Sequence, residues 1–285
     1  MLQHLDDPAA VPPLRLFLLG TAGTGKTEAV RTLLQEMRSV LRRYGVHSSF
    51  VRVGAYTGTA AFNVRFGAST LHRLFEMRNA CLWQELQTDS ERIQLFQEKM
   101  EATGLLIFEE VSMIGRQMMG KISSRSQEAK SDQQNPSRDP LGHMSCVAVG
   151  DPAQCPPIKD DVFYDLETHK DSLTDPEATR VRMSNEGLRV YSMFDEVIIL
   201  QQCHRIHRRH GELTDEDVAY NERGQRFLAI MSRLRDCAWT EEDDYWLCQR
   251  KKSHLSLRER ALFEDAPKIM EFRKERNDED PNDSC

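Results

Sequence analysis

Apolar residues fall along this chain in short, well-separated runs. Leu14–Leu19 is the first, with the composition of a buried strand, and Lys26 to Tyr44 then continues with helical composition. Ser49 to Tyr56 interleaves β-branched and aromatic residues with polar ones, as a strand does, and Thr57-Gly58-Thr59-Ala60-Ala61 breaks it into a helix. Thr70 to Phe75 reads as a further short helical piece. Leu105–Phe108 is wholly apolar and closes on Glu109 and Glu110, as expected of a central parallel strand carrying carboxylates to its C-terminal edge. Cys146–Val149 and Val197–Leu200 repeat that apolar pattern. Strands alternating with helices predict an α/β fold built on a largely parallel sheet.

Two stretches depart from this alternation. From Ser123 to Pro140 the composition is polar and predicts a mobile loop. Beyond Gly211 the pattern becomes helical: Gln225 to Leu234 is amphipathic, and Thr240-Glu241-Glu242-Asp243 marks a capped helix start ahead of Tyr245, Trp246 and Leu247. The expected organisation is an α/β unit over 1–210, a helical extension over 211–276 and an acidic, solvated tail over 277–285.

The first strand runs into Gly20-Thr21-Ala22-Gly23-Thr24-Gly25-Lys26-Thr27, a complete G-x-x-x-x-G-K-T loop in the strand–loop–helix setting that gives it a mechanism. Gly20, Gly23 and Gly25 let the backbone curl until its N–H groups face phosphate oxygens at the positive end of the following helix. Lys26 is then placed for the β- and γ-phosphates, and Thr27 for Mg²⁺. An NTP with Mg²⁺ is the ligand this loop predicts.

Composition narrows the setting. The chain has 285 residues and 39% hydrophobic content, enough for a sizeable core. No apolar run reaches membrane-spanning length, and Met1 to Pro13 is acidic and proline-containing rather than leader-like, so an intracellular protein with no membrane partner is expected. Seven scattered cysteines without a C-x-x-C pair fit reduced thiols. The net charge of −7 is uneven: residues 1–80 carry ten Lys and Arg against five Asp and Glu, and the remainder 28 against 40. Any nucleic-acid surface must therefore be local.

Four strand ends supply candidate chemistry: the phosphate loop, Glu109/Glu110, Gln154 and Arg205. In an open α/β sheet such ends share one edge, where ligands bind. Glu109 is the candidate for the Mg²⁺ shell, and Glu110 for orienting or deprotonating water. Gln154 both donates and accepts, which suits positioning water beside a γ-phosphate, and Arg205 can neutralise charge on a transferred phosphoryl group. Cys203, His204, His207 and His210 invite a zinc reading, but their spacing fits no familiar ligand set and Arg205, Arg208 and Arg209 oppose a cation. Trp83, Trp239 and Trp246 are expected to be core residues.

From about Leu14 to Asn277 the chain resembles the Pif-type DNA helicases of superfamily one, kin of RecD, and the helicase part of Helitron transposons. Thr57-Gly58-Thr59-Ala60-Ala61 is similar to their motif Ia, Thr70-Leu71-His72 to a short motif that touches single-stranded DNA, and Leu106–Met113 to the Mg²⁺ motif. Gly150-Asp151-Pro152-Ala153-Gln154-Cys155-Pro156-Pro157 resembles motif III, Leu200–Arg205 motif IV, and Arg233-Leu234-Arg235 with Thr240–Asp243 an "RLR…T-x-x-D" segment. The resemblance implies a RecA-like P-loop ATPase lobe. It further implies ATP-driven, five-prime to three-prime unwinding in repair, recombination or telomere maintenance, with single-stranded and forked DNA as partners and a nuclear or mitochondrial location. Thr57, Gly58, Thr59, Thr70 and His72 are then the DNA-contacting candidates. Three departures accompany it: Glu109 stands where the family usually has Asp, the upstream adenine-reading glutamine motif is absent, and the sequence ends where a second RecA-like lobe would begin. The expectation is thus a first-lobe fragment or shortened relative of such a helicase, for which another chain is one candidate source of the second lobe, with a degenerate transposon-derived remnant as the alternative. A P-loop kinase does not explain Gln154 with Pro156-Pro157, and a GTPase lacks an N-K-x-D segment.

Overall fold

The structure is a computed structural model that describes residues 12–77, 91–131, 137–167, 175–204, 206, 210–249 and 251–261. The chain divides into two compact units, Met1–His207 and Arg208–Cys285.

In the first unit, β1 (Arg15–Gly20), β2 (Val51–Ala55), β3 (Ser69–Thr70), β4 (Leu105–Glu109), β5 (Ser145–Gly150) and β6 (Glu196–Leu200) form one sheet in the order β3-β2-β4-β5-β1-β6. Every neighbouring pair is parallel, so all six C-terminal ends lie along one edge. β4 and β5 are buried along their whole length, which accounts for their unbroken apolar composition.

Helices cover both faces. α1 (Lys26–Arg43) buries Val30, Leu34, Met37 and Leu41, at helical spacing, against Leu105, Ile107, Val147 and Val149. The alternate residues Leu106, Phe108, Cys146 and Ala148 face the opposite cluster, with residues of α3 (Leu71–Leu74), α4 (Glu91–Glu101), α5 (Arg116–Lys130) and α6 (Asp175–Tyr191). α2 (Gly58–Val64) buries Ala61 and Val64. α5 and α6 meet backbone to backbone through two glycines: a Cβ on Gly120 would lie 1.9 Å from the Met183 carbonyl oxygen, and one on Gly187 2.0 Å from that of Arg116.

The polar stretch at 123–140 differs from its expectation, since 123–130 is the C-terminal half of α5. Ser123, Ser126 and Ala129 are buried there against neighbouring elements, and Arg125 pairs with Glu128. Polar composition signals a loop only where the side chains reach water.

The second unit contains α7 (Asp215–Arg235), α8 (Glu241–Cys248) and α9 (Leu257–Ala261). Thr214 with Asp217 and Thr240 with Asp243 form capping boxes at the starts of α7 and α8. Arg233 holds Asp243 with two bonds, Nε to Oδ2 at 2.7 Å and Nη2 to Oδ1 at 2.5 Å, which keeps that carboxyl well below the usual carboxylate range. The "RLR…T-x-x-D" spacing is therefore a tie between consecutive helices. Trp239 is 55% exposed rather than core, and no helix among the described residues is long and apolar enough to cross a membrane.

Candidate active site

The loop after β1 adopts the conformation its glycines predict. Gly23 and Gly25 have φ of 82° and 89°, the left-handed region open to glycine, and Gly25 caps α1. Gly20 is required for space instead: a Cβ there would lie 2.5 Å from Thr24 Oγ1 and 2.8 Å from the Leu200 carbonyl oxygen. Thr24 is buried and donates to the Thr21 carbonyl at 2.8 Å, bracing the loop with Thr21 and Ala22 at its crest. Lys26 Nζ donates to the carbonyls of Gly20 at 2.7 Å and Thr21 at 3.0 Å, so the ammonium is already inside the curl. Thr27 is half-buried in the first turn of α1.

Glu109 ends β4 in register with Ala55 of β2 and is 5% exposed. Burial, then the adjacent Glu110 charge, push its carboxyl up to about 7, against the opposing pull of Lys26 and Arg31. Its Oε1 is buried with no hydrogen-bond partner. An orphaned carboxylate oxygen, held close enough to the phosphate loop to feel Lys26, is the hard oxygen donor that Mg²⁺ prefers, and the Thr27 hydroxyl is a second. The donor set therefore fits the ion. Glu110 takes φ 57° and ψ 49°, a left-handed conformation costly for a side chain with a Cβ, as it turns the chain out of the sheet into the tight turn at Val111–Met113.

The turn after β5 is built on Asp151, whose carboxylate accepts from Ala153 N at 3.2 Å and whose carbonyl accepts from Gln154 N at 3.0 Å. It presents Gln154 to a cleft of about 250 Å³ that Glu110, Ser112, Thr57, Thr59 and Asn63 also line. Thr57 caps α2, accepting from Ala60 N at 3.2 Å, and around Gly58 a Cβ would meet nothing within 4 Å. Thr70 and His72 do not line this cleft. Thr70 caps α3, accepting from Arg73 N at 3.4 Å, and His72 packs edge-on to Tyr56 with its pKa lowered by burial and by Lys121. Arg205 lies outside the described residues. The segment leading to it is nevertheless tied to the phosphate loop, because His204 N donates to the Gly23 carbonyl at 2.7 Å and Cys203 Sγ contacts that of Ala22 at 3.6 Å. Of the residues behind the zinc reading, His207 lies outside the described residues.

The described strand ends thus bring the phosphate loop, paired glutamates and a glutamine to one edge of the sheet. The profile of the PIF1-like helicases matches residues 9–168, more than half of the chain. The chain belongs to the PIF1-like helicase family. The ATP-dependent DNA helicase RRM3 of Saccharomyces cerevisiae is 28% identical over 153 residues, which are 50% of this chain and 18% of that protein. The ATP-dependent DNA helicase PIF1 of Candida albicans is 25% identical over 226 residues, 78% of this chain and 21% of that protein. The chain thus spans about a fifth of the length of these relatives. The structure of a Bacteroides Pif1 helicase in complex with ADP-AlF3 and single-stranded DNA matches with a TM-score of 0.50 and 19% identity, covering 90% of this chain and 50% of that one, which establishes the RecA-like fold.

The region matched to PIF1-like helicases holds the phosphate loop, both glutamates and Gln154, and stops short of Arg205. Sequence reasoning missed three contributors. Ser112, buried with an unpartnered Oγ, and Asn63 line the cleft; Arg31, one turn beyond Lys26 on α1, acts on Glu109. The last could have been found, since a residue four or five positions after the loop lysine lies on a neighbouring part of the same helix. Ser112 falls inside the Leu106–Met113 stretch, whose pattern singles out the two glutamates, and nothing in the sequence marked Asn63.

Proposed function

We propose that this chain is the nucleotide-binding lobe of an ATP-driven DNA helicase that moves five-prime to three-prime along single-stranded DNA and opens forked duplex. The observation that carries the reading is the shared cleft: Glu110 and Gln154, placed for the attacking water, line the same space as Thr57 and Thr59, which the family pattern assigns to the DNA strand. A change at the γ-phosphate then reaches the DNA face through one turn on each side.

In this reading Gly20 to Thr27 cradle the phosphates, Lys26 leaves its two carbonyl partners for the β- and γ-oxygens, and Thr27 with Glu109 holds Mg²⁺. Held there, Mg²⁺ would supply charge neutralisation to the phosphates. Glu110 takes the proton of the attacking water and Gln154 fixes that water's orientation, its own side chain braced by Asp151. Arg205 stabilises the charge that develops on the transferred phosphoryl group. Thr57, Gly58, Thr59, Thr70 and His72 contact the DNA backbone, and translocation requires the lobe to close against a second RecA-like lobe.

The test is ATP turnover with and without single-stranded DNA, measured beside Lys26→Ala. DNA-stimulated hydrolysis that the substitution abolishes supports the motor. ATP binding without turnover refutes it in favour of a transposon-derived remnant that retains only binding.

A further inference from the structure

At the sheet edge opposite the phosphate loop is a second, larger cavity of about 560 Å³. It opens where the chain enters β2, at Ser48 to Val51, and β3, at Gly67 to Ser69, so it shares no residue with the nucleotide site. Five basic side chains line it, Arg38, His47, Arg52, Arg73 and Lys99, and among the described residues no carboxylate does. Their internal partners are almost all carbonyls, which leave positive charge uncompensated: Arg38 donates to Phe66 O at 3.2 Å, Arg52 to Lys99 O at 2.6 Å and Lys99 to Leu74 O at 3.3 Å. Glu76, at its margin, lies 3.8 Å from Lys99. Arg52 Nε is buried with no partner. Like charges held together this way are relieved by an anion.

The wall is built to stay open. Arg65, Phe66 and Gly67 have consecutive φ values of 66°, 53° and 76°, a strained turn that ends α2 and carries the Phe66 ring under the Arg38 guanidinium, 4.6 Å away. We propose that this cavity holds a phosphodiester segment of a nucleic-acid strand, a contact remote from the one that Thr57 and Thr59 make. Its volume exceeds a single phosphate, its guanidinium groups match phosphate oxygens, and its serine hydroxyls suit sugar and phosphate. The proposal rests on the chain being a DNA-binding lobe.

The test uses Arg38→Glu/Arg73→Glu and Arg73→Glu alone, both at exposed positions, with oligothymidylate binding followed by fluorescence anisotropy over a sodium chloride series. The double variant is expected to bind about tenfold more weakly, with a log–log salt slope shallower by about 1.4, two contacts at about 0.7 each. ATP-analogue binding stays unchanged. Parent-like affinity and slope in both variants would overturn the proposal while leaving the motor reading intact. A parent chain that binds no oligonucleotide would overturn both. Pyrophosphate binding in a Lys26→Ala background, lost with Arg38→Glu/Arg73→Glu, without any effect of those changes on oligonucleotide, would replace the strand by a small anion.

Discussion

Replacing Glu109 with glutamine isolates the electrostatic cost of the candidate metal ligand. The carboxyl ionises at 4.5 in an unstructured chain and at about 7 in the fold, a difference of about 2.5 units or about 3 kcal/mol. Below pH 4.5 both states are protonated and the site costs nothing. Between 4.5 and about 7 the unfolded chain releases its proton while the folded one retains it, so stability falls as pH rises. Above about 7 the folded state carries the full cost of a buried carboxylate. Glu109→Gln keeps the shape and removes the titration. Its thermal midpoint is expected to match the parent near pH 4.5 and to exceed it by about 6–12 °C at pH 8, from about 2–4 °C per kcal/mol for a unit of this size. Mg²⁺ with an ATP analogue narrows the gap, because only the parent has the carboxylate to bind it. Scanning calorimetry from pH 4.5 to 8 measures both. A constant offset between the two proteins across that range would refute the account of Glu109 as a buried, unpaired acid.

Glu109→Asp shortens the carboxylate by one methylene and is expected to raise ATP turnover; an unchanged rate in a steady-state assay would show that the length of this side chain is not limiting. Gly187→Ala drives a methyl into the Arg116 carbonyl and is expected to destabilise the first unit by about 1–3 kcal/mol in urea titration, with overpacking rather than lost contact as the cause. Glu110→Asn suits the left-handed backbone better and is expected to gain about 0.5–1 kcal/mol while ending hydrolysis, a trade visible by comparing melting with turnover. Thr59→Val with His72→Ala is expected to weaken oligonucleotide binding, as read by anisotropy, while ATP-analogue affinity holds.

The sheet was legible because burial leaves a plain mark: β4 and β5 touch protein on both faces, and only apolar residues satisfy that. The phosphate loop was equally plain, since its glycines answer separate steric demands at Gly20, Gly23 and Gly25. β6 shows the limit of the same signal. Val197, Ile198 and Ile199 are each at least half exposed at the sheet edge, although their composition matches that of the central strands. The second half of α5 failed for a related reason, because its polar side chains are buried inside the fold: Ser123 donates to Glu186, distant in sequence, and Arg125 pairs with Glu128 one turn on. Thr57 and Thr70 carry a further lesson. Both lie in stretches that resemble DNA-contacting motifs, and both hydroxyls accept from a backbone N–H three residues on, so the pattern alone cannot separate a cap from a contact.

In the proposed motor, the cap at Thr57 lies on the route between the two faces. Thr57 fixes the start of α2, and α2 carries Thr59 and Asn63 into the cleft shared with Glu110 and Gln154. Ala55, two residues earlier, is paired in register with Glu109. Any movement of the β4 end therefore passes to the start of α2 through a hydrogen-bonded strand pair and a capped turn, with no flexible linker between them. Glu110 is the member of this group with backbone strain to release, and it sits between the candidate metal ligand and the cleft. In the proposed motor, β2 and β4 link the nucleotide face to the DNA face, and a substitution that loosens the cap at Thr57 should uncouple DNA stimulation from basal ATP turnover. Thr57→Ala, which removes the cap at a cost of about 1 kcal/mol, tests this: basal hydrolysis persists while stimulation by single-stranded DNA falls, and equal loss of both would show that the cap serves the fold alone.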